Sequence, residues 1–216
     1  MLRGLIFDMD GVILDNAQQH IRAFAIFLAQ YGIERPFTPD MFGRRNESIF
    51  ELLMPEVVAK QGWRELSKEK ERIYRDIFRE EYKPIPGLTR LLTTATENDI
   101  KCGIGSSACR ENIEFAIDIC HIEPYISAWC CEDDVEVGKP APDVYLRCAE
   151  RLGLRPEECV VFEDATAGIT AGKRAGCKVV ALTTSCSREL LEATEADLII
   201  DDFRDVTLDQ LRALVG

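Results

Sequence analysis

Short apolar runs alternate with longer amphipathic stretches along most of the chain. Runs typical of buried strands occupy residues 2–7, 100–104, 159–162, 178–182 and 197–200. Helical spacing of apolar residues, every three or four positions, covers residues 88–98, 110–120, 142–152 and 165–175. Strands that alternate with helices in this way predict an α/β fold, with a Rossmann-like parallel sheet core and helices on both faces.

Residues 16–83 interrupt this alternation, because they contain no convincing strand. Helical spacing recurs there in three segments, at residues 18–31, 47–53 and 66–82. Pro84 and Pro86 mark the return to the sheet pattern. We therefore expect a core domain made of residues 1–15 and 84–216, and a small all-helical cap domain of residues 16–83 inserted after the first strand.

Composition places the chain among ordinary globular proteins, with 46% hydrophobic and 30% charged residues out of 216. A net charge of −12 disfavours nucleic acid and anionic membranes as partners. No apolar stretch approaches the roughly 20 residues that span a bilayer. The nine cysteines are odd in number and form no CxxC pair, and no secretory leader precedes them. We expect a soluble protein of the reducing cytoplasm.

Two carboxylates, Asp8 and Asp10, follow the first predicted strand, and Gly11 lets the chain turn after them. Alternate side chains of an extended stretch face the same way, so both carboxylates would meet one ligand. A hard cation would relieve their repulsion, and oxygen ligands suit Mg²⁺. One aspartate could then attack phosphorus while the other moves the leaving-group proton. Taken alone, the pair could also be an acidic turn without chemistry.

A second acidic pair, Glu163 and Asp164, ends another predicted strand. Ligands of open α/β sheets bind beyond the carboxyl ends of the strands, so Asp164 could complete the metal site from the opposite side. A helix is predicted directly after the pair, and acidic residues are also common at helix starts. Two acidic strand ends in one sheet favour the metal site over that simpler interpretation.

Two further elements could contact a phosphate. Residues 103–108 match the dinucleotide pattern G-x-G-x-x-A loosely, but that pattern normally opens the first βαβ unit. We instead expect the Ser106 hydroxyl and the following backbone N–H groups, starting at Ser107, to hold a phosphate at a helix N-terminus. Lys139 lies in a proline-rich loop before a helix, where its cation could neutralise a phosphate or a phospho-aspartate.

The chain resembles the haloacid dehalogenase-like hydrolase superfamily in four motifs, which are, in order, Asp8-x-Asp10-Gly11-Val12, Ser106, Lys139-Pro140 and Glu163-Asp164. The resemblance covers nearly the whole chain. The helical segment after the first motif is similar to the small cap of the subfamily that includes phosphoglycolate phosphatases, sugar-phosphate phosphatases and β-phosphoglucomutase. Each motif alone is weak, but the four together are highly specific.

The resemblance implies a phosphatase that forms a phospho-aspartate on Asp8, with Asp10 as general acid and then general base. It also implies Mg²⁺ held by the Asp8 carboxylate, the Asp10 backbone carbonyl and Asp164, with Glu163 in or near the coordination shell. The predicted phosphate contacts would stabilise the transferring phosphoryl group by position and charge. The partner would be a small phosphorylated metabolite, such as a sugar phosphate, a polyol phosphate or a phosphoglycolate-like acid.

Other reactions of the superfamily fit this sequence less well. A dehalogenase expels halide and needs no second acid, so Asp10 argues against that activity. A phosphonate-cleaving enzyme would need a Schiff-base lysine in the cap, and no motif surrounds the candidates Lys60, Lys68, Lys70 and Lys83. A catalytically silent phosphate-binding module is a remote alternative, which the four intact motifs do not favour.

The cap must decide between a phosphatase and a β-phosphoglucomutase-like mutase. His20 occurs where that mutase carries a hinge histidine, so it is either a residue of cap closure or proton shuttling or a plain polar residue on an amphipathic helix. However, residues 42–46 lack the mutase lysine before the glycine and place Asn46 where the mutase has an arginine. Arg44 or Arg45 could replace these cations only in a shifted register. We therefore expect hydrolysis, with these four residues as candidate substrate contacts from the cap.

Overall fold

A parallel sheet of six strands organises the described part of the chain. The structure is a computed structural model and describes residues 1–38, 41 and 44–216, so Phe42 and Gly43 of the predicted cap loop lie outside it. The strands are β1 (Gly4–Phe7), β2 (Lys101–Gly105), β3 (Ile126–Cys130), β4 (Cys159–Glu163), β5 (Lys178–Leu182) and β6 (Leu198–Ile200). Their order is β3-β2-β1-β4-β5-β6, with every neighbouring pair parallel. This is the Rossmann order, so the predicted fold class is confirmed.

Helices cover both faces of this sheet. They are α5 (Leu88–Glu97), α6 (Arg110–Cys120), α7 (Asp143–Leu152), α8 (Thr166–Ala175), α9 (Arg188–Glu192) and α10 (Leu208–Val215). Along β1, Leu5 and Phe7 enter one apolar cluster while Ile6 enters the other, as the alternation of a strand requires. Phe7 stacks on Phe162 of β4 with ring centroids 4.8 Å apart. The central strands are therefore buried on both sides, which holds their carboxyl ends in fixed positions.

A helical insertion, residues 16–83, lies between β1 and α5. Its helices are α1 (Ala17–Gln30), α2 (Asn46–Leu53), α3 (Pro55–Gln61) and α4 (Trp63–Glu81), and its described residues form no strand. Buried aromatic rings of α1, α2 and α4 pack together between them, with Phe27 and Phe50 centroids 5.4 Å apart. The helical character of this segment agrees with the sequence. Its independence as a cap domain stays a prediction.

The sequence analysis missed several elements. It did not predict β3, which lies at the edge of the sheet and is only partly buried, so its residues ISAWC lack a continuous apolar run. It also missed α3, which starts at Pro55 in the first turn where proline is tolerated. The short helices α9 and α10 were not predicted either. Among the described residues, no helix combines the length and the apolar character that a membrane crossing needs.

Candidate active site

Four of the predicted site residues meet at the carboxyl edge of the central strands. Asp8 follows β1, Glu163 ends β4 and Asp164 follows it, and carboxylate oxygens of these three residues lie within 4.8 Å of one another. Lys139 reaches them from the loop before α7, with its Nζ 2.9 Å from Asp8 Oδ1 and 2.6 Å from Glu163 Oε1. Residues separated by more than 150 positions thus form one buried ionic cluster.

The turn after β1 explains how these groups come so close. Gly11 has φ +77°, and a Cβ at this position would lie 1.8 Å from Asp164 Oδ2. Backbone bonds close the turn, because the N–H groups of Ile13 and Leu14 both donate to the Met9 carbonyl. Only glycine combines the left-handed backbone with the room that the Asp164 carboxylate occupies.

Glu163 accepts hydrogen bonds on both carboxylate oxygens. Lys139 Nζ and the Tyr145 hydroxyl donate to Oε1 at 2.6 and 2.7 Å, and the backbone N–H groups of Asp164 and Ala165 donate to Oε2 at 2.9 and 3.0 Å. A carboxylate offers about four lone-pair sites, and all of them are used here. Glu163 is therefore arranged to hold Lys139 and the start of α8, rather than to offer a free oxygen. No motif or spacing marked Tyr145 as a partner of Glu163.

The cluster carries more negative than positive charge. Burial raises the pKa of Asp8 to about 7, with Glu163 and Asp10 adding to the shift and Lys139 opposing it. Burial, together with the charges of Glu163 and Asp8, raises the pKa of Asp164 well above its ordinary value. Burial opposes the ammonium of Lys139, but the nearby carboxylates outweigh it and raise the pKa of Lys139. Asp8 Oδ1 has an ion pair with Lys139 but no hydrogen bond of good geometry. This excess of buried oxygen ligands and charge fits a divalent cation.

Asp10 faces the helical insertion. Asn16 Nδ2 donates to Asp10 Oδ1 at 2.6 Å, and His20 Nε2 lies 3.3 Å from the same oxygen. Lys70 Nζ is 2.8 Å from His20 Nδ1. An ammonium cannot accept a hydrogen bond, so Nδ1 accepts and Nε2 carries its proton towards Asp10. Burial disfavours the Asp10 carboxylate, but His20 and the hydrogen bonds from His20 and Asn16 lower its pKa below the ordinary value.

Neither Asn16, which contacts Asp10, nor Lys70, which contacts His20, was predicted in these roles. Lys70 had been considered only as a Schiff-base lysine, a role that its contacts do not suggest. Both side chains are at most 1% exposed. The one available signal was the presence of polar residues on the apolar faces of amphipathic helices.

A cavity of about 60 Å³ separates the carboxyl edge from the insertion. Its floor includes Asp8 and Asp10 together with Ser106 and Ser107. The insertion supplies polar and apolar side chains to its roof, which are His20, Phe24, Phe37, Met41, Arg44, Asn46, Ile49, Lys70 and Glu71. This volume is well below the roughly 300 Å³ at which small-molecule pockets usually begin, so the roof leaves little room for a substrate.

Ser106 and Ser107 lie in the loop between β2 and α6. The Ser106 side chain is buried, and its Oγ accepts from the Ala108 N–H at 3.1 Å. The Ser106 N–H donates to the Cys130 carbonyl at 3.0 Å, which ties this loop to the end of β3. Ser106 and Ser107 thus line the cavity, and α6 starts at Arg110, as the apolar spacing predicts.

Asn46 and Arg45 differ in where they point. Asn46 lines the cavity, and its Nδ2 donates to Ser67 Oγ at 2.8 Å and to Glu71 Oε1 at 2.6 Å. Arg45 does not line this cavity, because its guanidinium donates to backbone carbonyls of the loop before Lys139. The sequence placed these neighbours together as substrate contacts, whereas the structure turns Arg45 away from the cavity and leaves Arg44 and Asn46 on it.

Comparison with known proteins agrees with this architecture. Residues 5–182 match the haloacid dehalogenase-like hydrolase family. The chain is 33% identical to a fructose-1-phosphate phosphatase of Escherichia coli over 180 residues, which covers 82% of this chain and 94% of that protein. It is 32% identical to the β-phosphoglucomutase of Bacillus subtilis over 222 residues, covering 97% and 94% of the two chains.

Solved structures show the same fold. A hydrolase of this family from Entamoeba histolytica has a TM-score of 0.88 at 24% identity, with 99% of each chain covered. A β-phosphoglucomutase from Clostridium difficile has a TM-score of 0.86 at 24% identity, covering 100% of this chain and 97% of that one. The four motifs meet in one buried site on this fold, and the family match spans most of the chain. The protein therefore belongs to the haloacid dehalogenase-like hydrolase family.

Proposed function

We propose that this protein is a Mg²⁺-dependent phosphatase that hydrolyses a small phosphorylated metabolite through a phospho-aspartate on Asp8. The observation that carries the proposal is the buried cluster of Asp8, Glu163 and Asp164 around Lys139. Phosphoryl transfer depends on positioning and charge neutralisation, and this cluster combines a nucleophile, a fixed cation and surplus carboxylate oxygens.

In the first step, a carboxylate oxygen of Asp8 attacks phosphorus and the bond from phosphorus to the ester oxygen breaks. Asp10 gives its proton to the departing oxygen, so the free alcohol leaves. In the second step, Asp10 takes a proton from water, the water oxygen attacks phosphorus, and the bond between phosphorus and Asp8 breaks. Inorganic phosphate is released and both aspartates return to their starting states.

Asp10 must be protonated to act as an acid, yet its pKa lies below the ordinary value while it contacts His20 and Asn16. Both partners belong to the insertion, so movement of the roof would release the carboxylate. A carboxyl freed from these donors would gain a proton more readily. The insertion, acting as the predicted cap, would in this way govern the acid as well as access to the cavity.

We infer that Mg²⁺ is held by the Asp8 carboxylate, the Asp10 backbone carbonyl and Asp164. The cation would supply charge neutralisation for the phosphoryl oxygens and the nucleophile. Glu163 has its oxygens occupied by four donors, which supports a place beside the metal rather than on it. Ser106, Ser107 and Lys139 would hold phosphoryl oxygens through hydroxyl, backbone and ammonium donors.

The insertion wall supports hydrolysis over a mutase reaction. Both hydrogens of the Asn46 amide are used by Ser67 and Glu71, so Asn46 offers the cavity only its carbonyl oxygen. Burial opposes ionisation of Glu71, but Lys70, His20 and Asn46 lower its pKa to about 2, which keeps it a carboxylate. A bisphosphate intermediate needs donors and cations, whereas the wall at position 46 presents two neighbouring acceptors, the Asn46 carbonyl and the Glu71 carboxylate.

Two further observations support a substrate class and a cellular compartment. The E. coli relative carries the name of a sugar-phosphate phosphatase, which supports a sugar or polyol monophosphate as the substrate class. All nine cysteines are free thiols, an arrangement that persists in reducing compartments such as the cytoplasm. The partner is therefore a small metabolite rather than a nucleic acid or a membrane.

The test is phosphate release from an aryl phosphate and from a panel of sugar, polyol and small-acid monophosphates, with Mg²⁺ and then with chelator. Mg²⁺-dependent release is the expected result. No release from any substrate would favour a silent phosphate-binding module. Incubation with β-glucose 1-phosphate and a trace of its bisphosphate tests the mutase, because isomerisation faster than phosphate release would reverse our preference.

A further inference from the structure

The guanidinium of Arg45 connects the helical insertion to the loop that precedes Lys139. Its Nη1 donates to the Glu136 carbonyl at 3.0 Å, and its Nη2 donates to the Glu132 and Val135 carbonyls at 2.9 and 2.6 Å. Arg45 directly precedes α2, so the contact joins the start of an insertion helix to the sheet domain. We call residues 132–139 the lysine loop.

The same arginine packs against the residue before Lys139. A Cβ at Gly138 would lie 2.9 Å from Arg45 Nε and 3.1 Å from its Cδ and Cγ. Gly138 has no positive φ, and the three nearest atoms that a Cβ would meet all belong to the Arg45 side chain, which would have to shift. Lys139 follows at once, with its ammonium 2.9 Å from Asp8 Oδ1. The path from the insertion to the nucleophile therefore runs through two adjacent residues of one loop.

The cavity of about 60 Å³ leaves little room for a phosphorylated metabolite, so movement of the insertion is part of the proposal. Movement of α2 away from the sheet would break the contacts between Arg45 and the lysine loop. Closure would restore them, because Nη1 and Nη2 of the guanidinium then regain their three carbonyl acceptors. When the insertion docks on the sheet domain, the same hydrogen bonds therefore also fix the position of the lysine loop.

We propose that Arg45 is a positioning residue, which sets the lysine loop, and through it Lys139, each time the insertion closes over the site. The assignment rests on the proposed phosphatase activity for its kinetic consequences. It differs from a substrate contact, because all the acceptors of Arg45 are backbone carbonyls of the protein itself. It also explains why a glycine stands directly before Lys139.

The kinetic test compares R45A with R45K and with R72A as a matched control, since Arg72 forms an exposed ion pair with Asp76 on the insertion. We expect R45A to lose roughly ten- to a hundredfold in kcat/KM, the scale of a misplaced catalytic group. R45K keeps the charge without the planar fork, so it should recover only a part of the loss. Added ethylguanidinium should restore activity to R45A in a saturable manner, but not change R72A.

Gly138 provides a second, independent variant. G138A should reproduce the loss of R45A, because the new Cβ displaces the arginine. In the double variant R45A/G138A the two losses in kcat/KM should not add, since each change acts by removing the same contact between Arg45 and Gly138. Additive losses, or no rescue of R45A by ethylguanidinium, would overturn the assignment.

Amide hydrogen exchange tests the contact without reference to turnover. In R45A, residues 132–138 should exchange faster than in the wild-type protein, while R72A should leave them unchanged. Equal exchange in R45A and wild type would refute the role of Arg45. If the wild-type protein releases no phosphate while R45A still exposes this loop, the proposed function fails and the coupling between insertion and loop stands.

Discussion

Lys139 and Glu163 form an ion pair with Nζ and Oε1 2.6 Å apart, and both side chains are fully buried. Such a pair is expensive to break, because removal of one partner leaves an unpaired buried charge at a cost of about 3–5 kcal/mol. Here the pair also sets the distance between Lys139 and the proposed nucleophile Asp8. Changes that displace Glu163 should therefore affect catalysis as well as stability.

Gly168 provides a way to displace Glu163 without removing its charge. An alanine Cβ at position 168 would lie 1.6 Å from Glu163 Oε1, so G168A must push the carboxylate from its place. We expect kcat to fall by about a hundredfold, the scale seen for misplaced catalytic groups. Steady-state kinetics on purified G168A, with the folded fraction checked by circular dichroism, measures this.

The control for this change is G172A in the same helix α8. Its Cβ would lie 2.8 Å from Val179 Cγ2, in the apolar cluster and away from the carboxylates. G172A should lower the melting temperature while the folded enzyme keeps its kcat. Equal kcat losses in the two variants would show that general destabilisation, rather than displacement of Glu163, explains the result.

Asp164 should limit stability when no metal is bound. Burial and neighbouring charges raise its pKa in the folded state. At pH values above the ordinary pKa of an aspartate, the folded state therefore still binds a proton that the unfolded state has released. Stability is lost as the pH rises through this range. D164N removes this charge, and metal-free D164N should melt a few degrees above metal-free wild type, by more as pH rises.

Added Mg²⁺ should reverse this order. Wild-type protein should gain melting temperature with Mg²⁺ and lose the gain with chelator, because a ligand that binds only the folded state stabilises it. D164N should show no such gain, whereas D205N, a change at an exposed aspartate, should respond like wild type. Thermal melts of wild type, D164N and D205N in buffer alone, with Mg²⁺ and with chelator measure these responses. A full Mg²⁺ response in D164N would remove Asp164 from the metal site.

Glu132, which lies outside the carboxylate cluster, should make stability depend on pH in a second way. Burial raises its pKa to about 7, helped by Asp133 and Glu71 and opposed by Arg45 and Arg64. The unfolded carboxyl titrates near 4.5, so the folded state binds the extra proton and stability falls as pH rises from 4.5 towards 7. A glutamine side chain does not titrate.

The melting temperature of E132Q relative to wild type should therefore increase across that window, by a few degrees in all. Melts at several pH values from about 4.5 to about 8 test this, with E136Q as the control because Glu136 is exposed in the same loop. A pH-independent difference for E132Q would contradict the assignment.

The floor of the site was predictable because a parallel sheet brings its carboxyl strand ends to one edge. Asp8, Glu163 and Asp164 each follow directly from a strand that the apolar pattern marks, so their proximity needed only the topology. Lys139 follows β3, which the pattern did not mark, and it was found through its motif instead. The short, half-exposed edge strand carries too little apolar signal for any periodicity argument.

The roof could not be predicted in the same way. The contact of Lys70 with His20 joins residues fifty positions apart on different helices, so it depends on how α1 and α4 pack. The direction of Arg45 depends on how the insertion sits against the lysine loop. Neither contact can be predicted from local sequence. Residues 44–46 were therefore predicted alike as substrate contacts, although Arg45 lies off the cavity.

The most direct test of the central claim is chemical trapping of the phosphorylated nucleophile. The enzyme is mixed with a substrate found in the metabolite panel, quenched in acid, and reduced with borohydride, which converts an acyl phosphate of aspartate into homoserine. Hydrolysis through Asp8 predicts homoserine at position 8 in the peptide map and none in D8N. Wild-type turnover with no modification at Asp8, or turnover retained by D8N, would contradict it.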